Sequence, residues 1–172
     1  LLTTLYTGHK PIDINTKSTI ILWDNPNGRI NKIGEIADID LADFDDVIKV
    51  NLRAPFRLSQ LVIPGMKQNQ WGRIINISSI YGVVSPDQSL YEYRRAKGED
   101  FYKPVAYSAS KSGIINLTKY LAVYWAQKGV RVNTLTIAGV LNNQDEEFLS
   151  QYNGRIPIGR MAQQDEYNST LI

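Results

Sequence analysis

The stretch Tyr107-Ser108-Ala109-Ser110-Lys111-Ser112-Gly113, taken with Asn76-Ile77-Ser78-Ser79 upstream, is the part of the chain from which the rest can be placed. A phenol and an ammonium four residues apart at the start of a helical run share one face, so each changes the chemistry of the other. The spacing alone is weak, because Tyr6 and Lys10, Tyr93 and Lys97, and Tyr124 and Lys128 repeat it. The setting of Tyr107 and Lys111 is what differs. Small residues separate them, a long apolar helix follows, and a strand ending in paired serines comes before. Without that setting, a packed tyrosine beside a solvated lysine would account for the pair.

Working outward, Arg73 to Ile77 follows Gly72 and reads as a central strand, with Ser78 and Ser79 at its carboxyl end. In open parallel sheets the ligand crevice lies outside the carboxyl ends of the strands, so these hydroxyls stand where chemistry is expected. Thr19 to Trp23 is a short apolar run that ends at Asp24-Asn25-Pro26-Asn27-Gly28, as a buried strand entering a turn does. Carboxylates from Asp38 to Asp46 favour a helix start, and Phe44, Val47, Ile48, Leu52, Phe56, Leu58, Leu61 and Val62 recur mostly at three- and four-residue steps. This predicts one long amphipathic helix, interrupted or ended near Pro64-Gly65. A second runs from Val105 to Gln127 with Gly129 as its stop, and Val130 to Thr136 is the next strand. Asp145 to Tyr152 predicts a short helix, and Asp165-Glu166 begins another. Leu1 to Tyr6 reads as a helix end. Alternating strands and helices imply an α/β chain with a parallel sheet covered by helices on both faces. Between them, Ile80 to Pro104 is a polar and aromatic excursion whose length suits a binding loop or lid.

The chain has 172 residues, 43% of them hydrophobic, enough for one domain with a sizeable core. Its formal charge of +2 comes from interspersed residues, which argues against a nucleic-acid partner or a membrane surface. Without cysteine there are no disulfides or thiolate metal sites, and the single histidine, His9, sits in a polar turn. No metal is expected. No apolar run approaches the ~18 residues of a membrane span, and no secretory pattern opens the chain, so a cytoplasmic location is the expectation. The Asn-x-Ser/Thr triplets at Asn76, Asn116 and Asn168 then carry no meaning as glycan acceptors.

In their order along the chain, Asn-Ile-Ser-Ser with Gly82, Tyr-Ser-Ala-Ser-Lys-Ser-Gly, and Val-Arg-Val-Asn-Thr-Leu-Thr-x-Ala-Gly resemble the short-chain dehydrogenase/reductase family. The resemblance runs from about Thr19 to the C-terminus. It implies a Rossmann-like, doubly wound parallel sheet, and for residues 1–172 a single partial domain corresponding to the family's central and C-terminal part. It also implies a catalytic group of Tyr107 as acid/base, Lys111 as its partner, Ser79 on the substrate oxygen, and Asn51 completing the tetrad. A polar or capping helix residue is the plainer reading of Asn51. The resemblance further implies NAD or NADP as cofactor, held by Ile77, Tyr107, Lys111, Ala138, Gly139 and Val140, with Ser79 and Tyr81 touching a small-molecule substrate.

The chemistry is coherent without the family name. A free tyrosine titrates at about 10, too high to take a proton readily at neutral pH. An ammonium at ~4 Å would favour the phenolate by roughly 4 kcal/mol at an effective dielectric near 20, moving it toward the range where general acid/base catalysis works. A serine hydroxyl would stabilise the oxygen that becomes negative as hydride arrives. No side chain supplies hydride, so a cofactor must.

Several features depart from the family pattern. No glycines here have the spacing of the N-terminal pyrophosphate-binding turn, so the sheet is expected to be incomplete at that end, and the chain is expected to stop before a last strand. Ile137 stands where the family usually has proline, and Ser79 and Tyr107 are unusually far apart. A similar long loop occurs in a subgroup resembling the oxidoreductases of bacterial surface-sugar and flagellin-glycan biosynthesis, which would suit a sugar-like substrate. Two readings follow: an NAD(P)-dependent oxidoreductase interconverting a secondary alcohol and a ketone, or a truncated, non-catalytic remnant acting as a scaffold or assembly partner. In either case the resemblance implies a homo-oligomer through the two long helices, Asp45 to Gln60 and Ala109 to Gln127, and apolar residues on more than one face of the second agree with burial or dimerisation.

Overall fold

The computed structural model describes the backbone of residues 19–22 and the chain from 35 to 171. Leu1 to Tyr6, His9 and the turn after Trp23 lie outside the described residues. Three parallel strands form one sheet in the order β1 (Thr19–Leu22), β2 (Gly72–Ser79), β3 (Val130–Ile137). Thr19 pairs with Arg73, and Ser79 pairs with Ile137, so the second and third strands end side by side. That register brings Ser79 next to the Ala138-Gly139 turn.

From Leu41 to Gln68 the first crossover is continuous helix: α1 (Leu41–Ile48), a π-helical turn at Lys49–Arg53, and α2 (Ala54–Gln68). Asp40 caps its start by accepting from the amide of Ala42 at 2.9 Å. The π turn immediately precedes Pro55, which has no N–H and whose ring would press on the carbonyl four residues back. Widening the turn relieves that clash, and the amide of Ala54 reaches the carbonyl of Lys49. The helix expected to stop near Pro64-Gly65 continues to Gln68 instead. Pro64 is exposed, so the carbonyl it leaves unpaired faces water, while Ile63 and Met66 are buried and hold the last turns to the sheet.

The second crossover carries α3 (Glu92–Ala96) inside the long excursion and then α4 (Val105–Trp125). Gly129 ends it with φ 73°, in the left-handed region where glycine has no steric penalty. Both connections advance across the sheet in the same direction, so among the described residues the two long helices lie side by side on one face. Val62, Ile63 and Met66 of α2 meet Leu121 of α4 over Ile74, Val130 and Val132 of the sheet. Burying each such side chain contributes roughly 1.5–3 kcal/mol. After β3 come α5 (Glu146–Asn153), introduced by Asp145, and α6 (Asn168–Leu171), which starts slightly later than Asp165-Glu166 suggested. Among the described residues no helix is long and apolar enough to cross a membrane.

Gly129 is also where α4's end meets the start of β2. Its carbonyl accepts from the amide of Gly72 at 3.0 Å, and a Cβ there would strike the carbonyl of Gln70. Gly129→Ala should therefore cost about 2 kcal/mol or more in urea unfolding, since strained backbone and a backbone clash act together. A midpoint unchanged from the native chain would contradict this packing.

Candidate active site

The carboxyl end of β2 and the first turns of α4 are joined at four points. Lys111 is 3% exposed, and its Nζ donates to the carbonyl of Ile77 at 3.0 Å. Ser78 Oγ donates to the carbonyl of Lys111 at 2.9 Å, and Ser112 Oγ to the carbonyl of Gly82 at 2.8 Å. At Gly82 the helix comes so near that a Cβ would lie 2.7 Å from the backbone carbonyl of Lys111. A glycine is required there because two main chains touch.

Asn51 enters from the first crossover. It is buried in the π turn, and its Nδ2 donates to Ser110 Oγ at 3.0 Å, while Ser110 Oγ donates to the carbonyl of Tyr107 at 2.7 Å. Asn51 thus grips the helical turn that presents Tyr107 and does not itself line the cavity in front. Expanded turns of this kind recur at functional sites.

That cavity has a volume of about 360 Å³ and opens at the carboxyl ends of the strands. Ser79, Ile80 and Tyr81 line it from β2, Tyr107 from α4, and Ala138 and Gly139 from the turn after β3. Tyr91 and Tyr93 come from the excursion, and Phe148 and Tyr152 from α5. Lys111 and Ile77 lie behind Tyr107 and Ser79, and Val140 turns away to pair with Ala162. Ser79 Oγ accepts from the amide of Tyr81 at 3.2 Å, and its own proton has no acceptor among the described residues. It is therefore set to donate into the cavity. Gly139 donates its amide to the hydroxyl of Tyr152 at 2.9 Å, and a Cβ there would collide with that tyrosine at 2.9 Å.

The tyrosines around the cavity are not equivalent. Burial pushes the phenols of Tyr81 and Tyr91 above the ordinary value, and burial does the same to Tyr152 against the pull of the Gly139 amide. These stay neutral. Tyr107 has the Lys111 ammonium 5.6 Å from its ring centroid and the Lys103 ammonium at 5.8 Å. It is the ring that lies against Lys111.

The excursion is structured, and it folds over the cavity as a lid. Leu90 and Tyr91 pack with Tyr152 and Met161, and Tyr91 and Phe148 stack at 5.6 Å between centroids. Its outer edge is held to α5 and the turn beyond by exposed contacts. Tyr93 donates to Asp145 at 2.6 Å, Lys97 pairs with Glu147 at 3.0 Å, and Arg155 pairs with Asp87 at 3.1 Å. Lys103, Asp145, Tyr152 and Met161 were invisible as site residues in the sequence. They follow no motif: Lys103 comes from the excursion and the other three from the segment after β3, and the folded chain gathers them around the cavity with Ser79.

With this geometry in view, the family can be stated. Residues 21–153 match the model of the short chain dehydrogenase family. The chain is 36% identical over 115 residues to a D-beta-hydroxybutyrate dehydrogenase of Cupriavidus necator, covering 67% of this chain and 39% of that protein. It is 30% identical over 141 residues to a 7alpha-hydroxysteroid dehydrogenase of Bacteroides fragilis, covering 79% and 49%. Among solved structures, a short chain dehydrogenase from Leptospira borgpetersenii with bound NAD+ superimposes with a TM-score of 0.71 at 34% identity, covering 80% of this chain and 51% of that one. The fold is Rossmann-like, and the chain belongs to the short-chain dehydrogenase/reductase family of oxidoreductases. It spans about half or less of the length of these relatives.

Two outcomes test the geometry. Ser110→Ala strands the buried amide of Asn51 and should cost about 1–3 kcal/mol in chemical denaturation, whereas an isolated surface serine would cost almost nothing. The phenol of Tyr93 is pushed up to about 12 by burial and by its bond to Asp145. A raised folded value means that its contribution is complete below the unfolded value of about 10 and is lost as pH rises through the folded one. Unfolding midpoints should therefore fall more steeply between about pH 10 and 12 in the native chain than in Tyr93→Phe.

Proposed function

We propose that this chain provides the proton-transfer half of an NAD(P)-dependent oxidoreductase that interconverts a secondary alcohol and a ketone on a polar, sugar-like small molecule. The observation that carries this reading is the convergence on one cavity of Ser79, with a hydroxyl proton to donate, and Tyr107, backed by a lysine fixed to the sheet. Tyr107 is the acid/base: it gives its phenolic proton to the substrate oxygen in reduction and removes it in oxidation. Lys111 favours the phenolate electrostatically. Ser79 donates to the same oxygen as negative charge grows on it. Asn51 and Ser110 hold the turn of Tyr107 in place, which makes Asn51 a positioning residue in this reading.

The residues present fit the nicotinamide end of a dinucleotide. Ala138 and Gly139 bring almost no bulk to the strand ends beside Ser79, and the Lys111 ammonium lies just behind Tyr107. Tyr107, Lys111, the Ile77 strand end and the Ala138-Gly139-Val140 turn would hold that group, NAD or NADP, and its chemistry is to give or take the hydride. Tyr81 and the lid tyrosines bound the substrate on the other side.

A homo-oligomer formed through the long helices belongs to the same proposal. Tyr120, Val123 and Tyr124 are exposed on α4, Val123 at 83%, and with Phe56 of α2 they leave an apolar face uncovered. That face also supports the second reading, a scaffold that assembles without turning over.

Calorimetric titration of the purified chain with NADH and NADPH separates the two readings. Micromolar binding that Lys111→Ala weakens supports the enzyme, and no binding to a folded chain overturns it for this chain. In an active preparation, Tyr107→Phe should lower kcat by roughly 10²–10⁴-fold and Ser79→Ala by roughly 10²-fold. Val123→Glu should shift the sedimentation coefficient from that of an oligomer to that of a monomer.

A further inference from the structure

Lys103 occupies a position that the proton chemistry does not require. Its backbone is clamped by one side chain: its amide donates to Gln88 Oε1 at 2.9 Å, and Gln88 Nε2 donates to its carbonyl at 3.1 Å. Arg95 braces the same loop by donating to the carbonyls of Gln88 and Phe101. So held, the Lys103 ammonium stands 5.6 Å from the ring centroid of Tyr81, 6.0 Å from that of Tyr91 and 5.8 Å from that of Tyr107. All four residues line the cavity that contains Ser79.

The ammonium has lost water, and the described residues supply it no counter-charge. Burial pushes Lys103 below the ordinary lysine value. Among the described residues no carboxylate pairs with it and no carbonyl accepts from its Nζ. The neighbouring charges are committed elsewhere. Arg94 is engaged with Glu99, with Nε to Oε2 at 2.7 Å, Lys97 with Glu147, and Asp145 with the hydroxyl of Tyr93. Three aromatic faces near 6 Å give back only part of what desolvating an ammonium costs.

We propose that the substrate carries a carboxylate that seats on Lys103, so that the cavity selects hydroxy and keto acids and holds their reacting carbon between Ser79 and Tyr107. The proposal rests on the oxidoreductase reading above and adds the substrate's charge. A single compact cation matches a monoanion. A phosphate ester, carrying nearly two charges, would need a second cation, and both arginines of the lid are already engaged. The volume of about 360 Å³ lies at the small end of ligand sites, which suits a compact acid.

The test pairs acids with their uncharged counterparts. Lactate, 2-hydroxybutanoate, 3-hydroxybutanoate and glycerate, each beside its primary amide, and glycerol 3-phosphate are titrated into the full chain labelled with ¹³C at the lysine ε-carbon. The expected result is that at least one acid moves the Lys103 resonance and binds at least tenfold more tightly than its amide. Lys103→Met, checked for folding by near-ultraviolet circular dichroism, should bind acid and amide alike, and Lys103→Arg should keep part of the preference for the acid. Equal binding of acids and amides to the native chain, an unchanged preference in Lys103→Met, a Lys103 resonance that no acid moves, or tighter binding of glycerol 3-phosphate than of every acid would each overturn the proposal. Tyr107→Phe should still bind the acid. Acid binding at Lys103 with no hydride transfer in the native protein would sink the oxidoreductase reading alone. Turnover of neutral alcohols that Lys103→Met leaves unaltered would sink the carboxylate alone.

Discussion

The bond from the Lys111 ammonium to the carbonyl of Ile77, 3.0 Å long and buried, fixes the relation between α4 and the sheet. A lysine brought so far inside must be hydrogen-bonded, or its charge would cost more than the helix gains by docking. The carbonyl that accepts from it belongs to the last residues of β2, so sliding the helix along the strand would break this buried bond. Ser78 answers with a bond in the opposite direction, and Gly82 lets the two backbones close. Once that contact is made, Tyr107 and Ser79 face the same cavity. No further adjustment is needed.

A second layer of support stands behind this one. Asn51 and Ser110 connect the two crossovers, and the π turn that carries Asn51 follows from Pro55. Here a rule about backbone donors acts at a distance. An imino acid at position 55 opens the helix, the opening presents an amide at position 51, and the amide steadies the turn that bears the phenol.

Much of this was legible in the sequence, for reasons of locality. β2, α4 and β3 announce themselves by composition, glycine stops and period, and the tyrosine and lysine lie within one helical turn. Pro64 misled because an interior proline loses a bond and crowds the carbonyl four residues back, whereas the pattern gave no weight to Ile63 and Met66, whose burial keeps the helix going. The doubly wound α/β fold was legible, but which of its helices share a face was not. Strand order, which composition does not encode, places the two described long helices on the same one. Lys103 was hidden for a different reason. It is one lysine among many in an aperiodic segment, and its meaning depends on Gln88, fifteen positions away, and on rings from three separate elements.

The cavity is thus built from two kinds of wall. One is anchored in the sheet by buried hydrogen bonds between backbones and short side chains. The other, the lid over α5, is fastened at its rim by solvent-facing pairs such as Lys97 with Glu147 and Arg155 with Asp87. Such pairs are worth little individually and can be exchanged one residue at a time. Divergence among descendants of this chain can therefore redraw the lid, and with it the shape of the cavity, while Ser79 and Tyr107 stay where β2 and α4 put them. Innovation is confined to the wall that can afford to change.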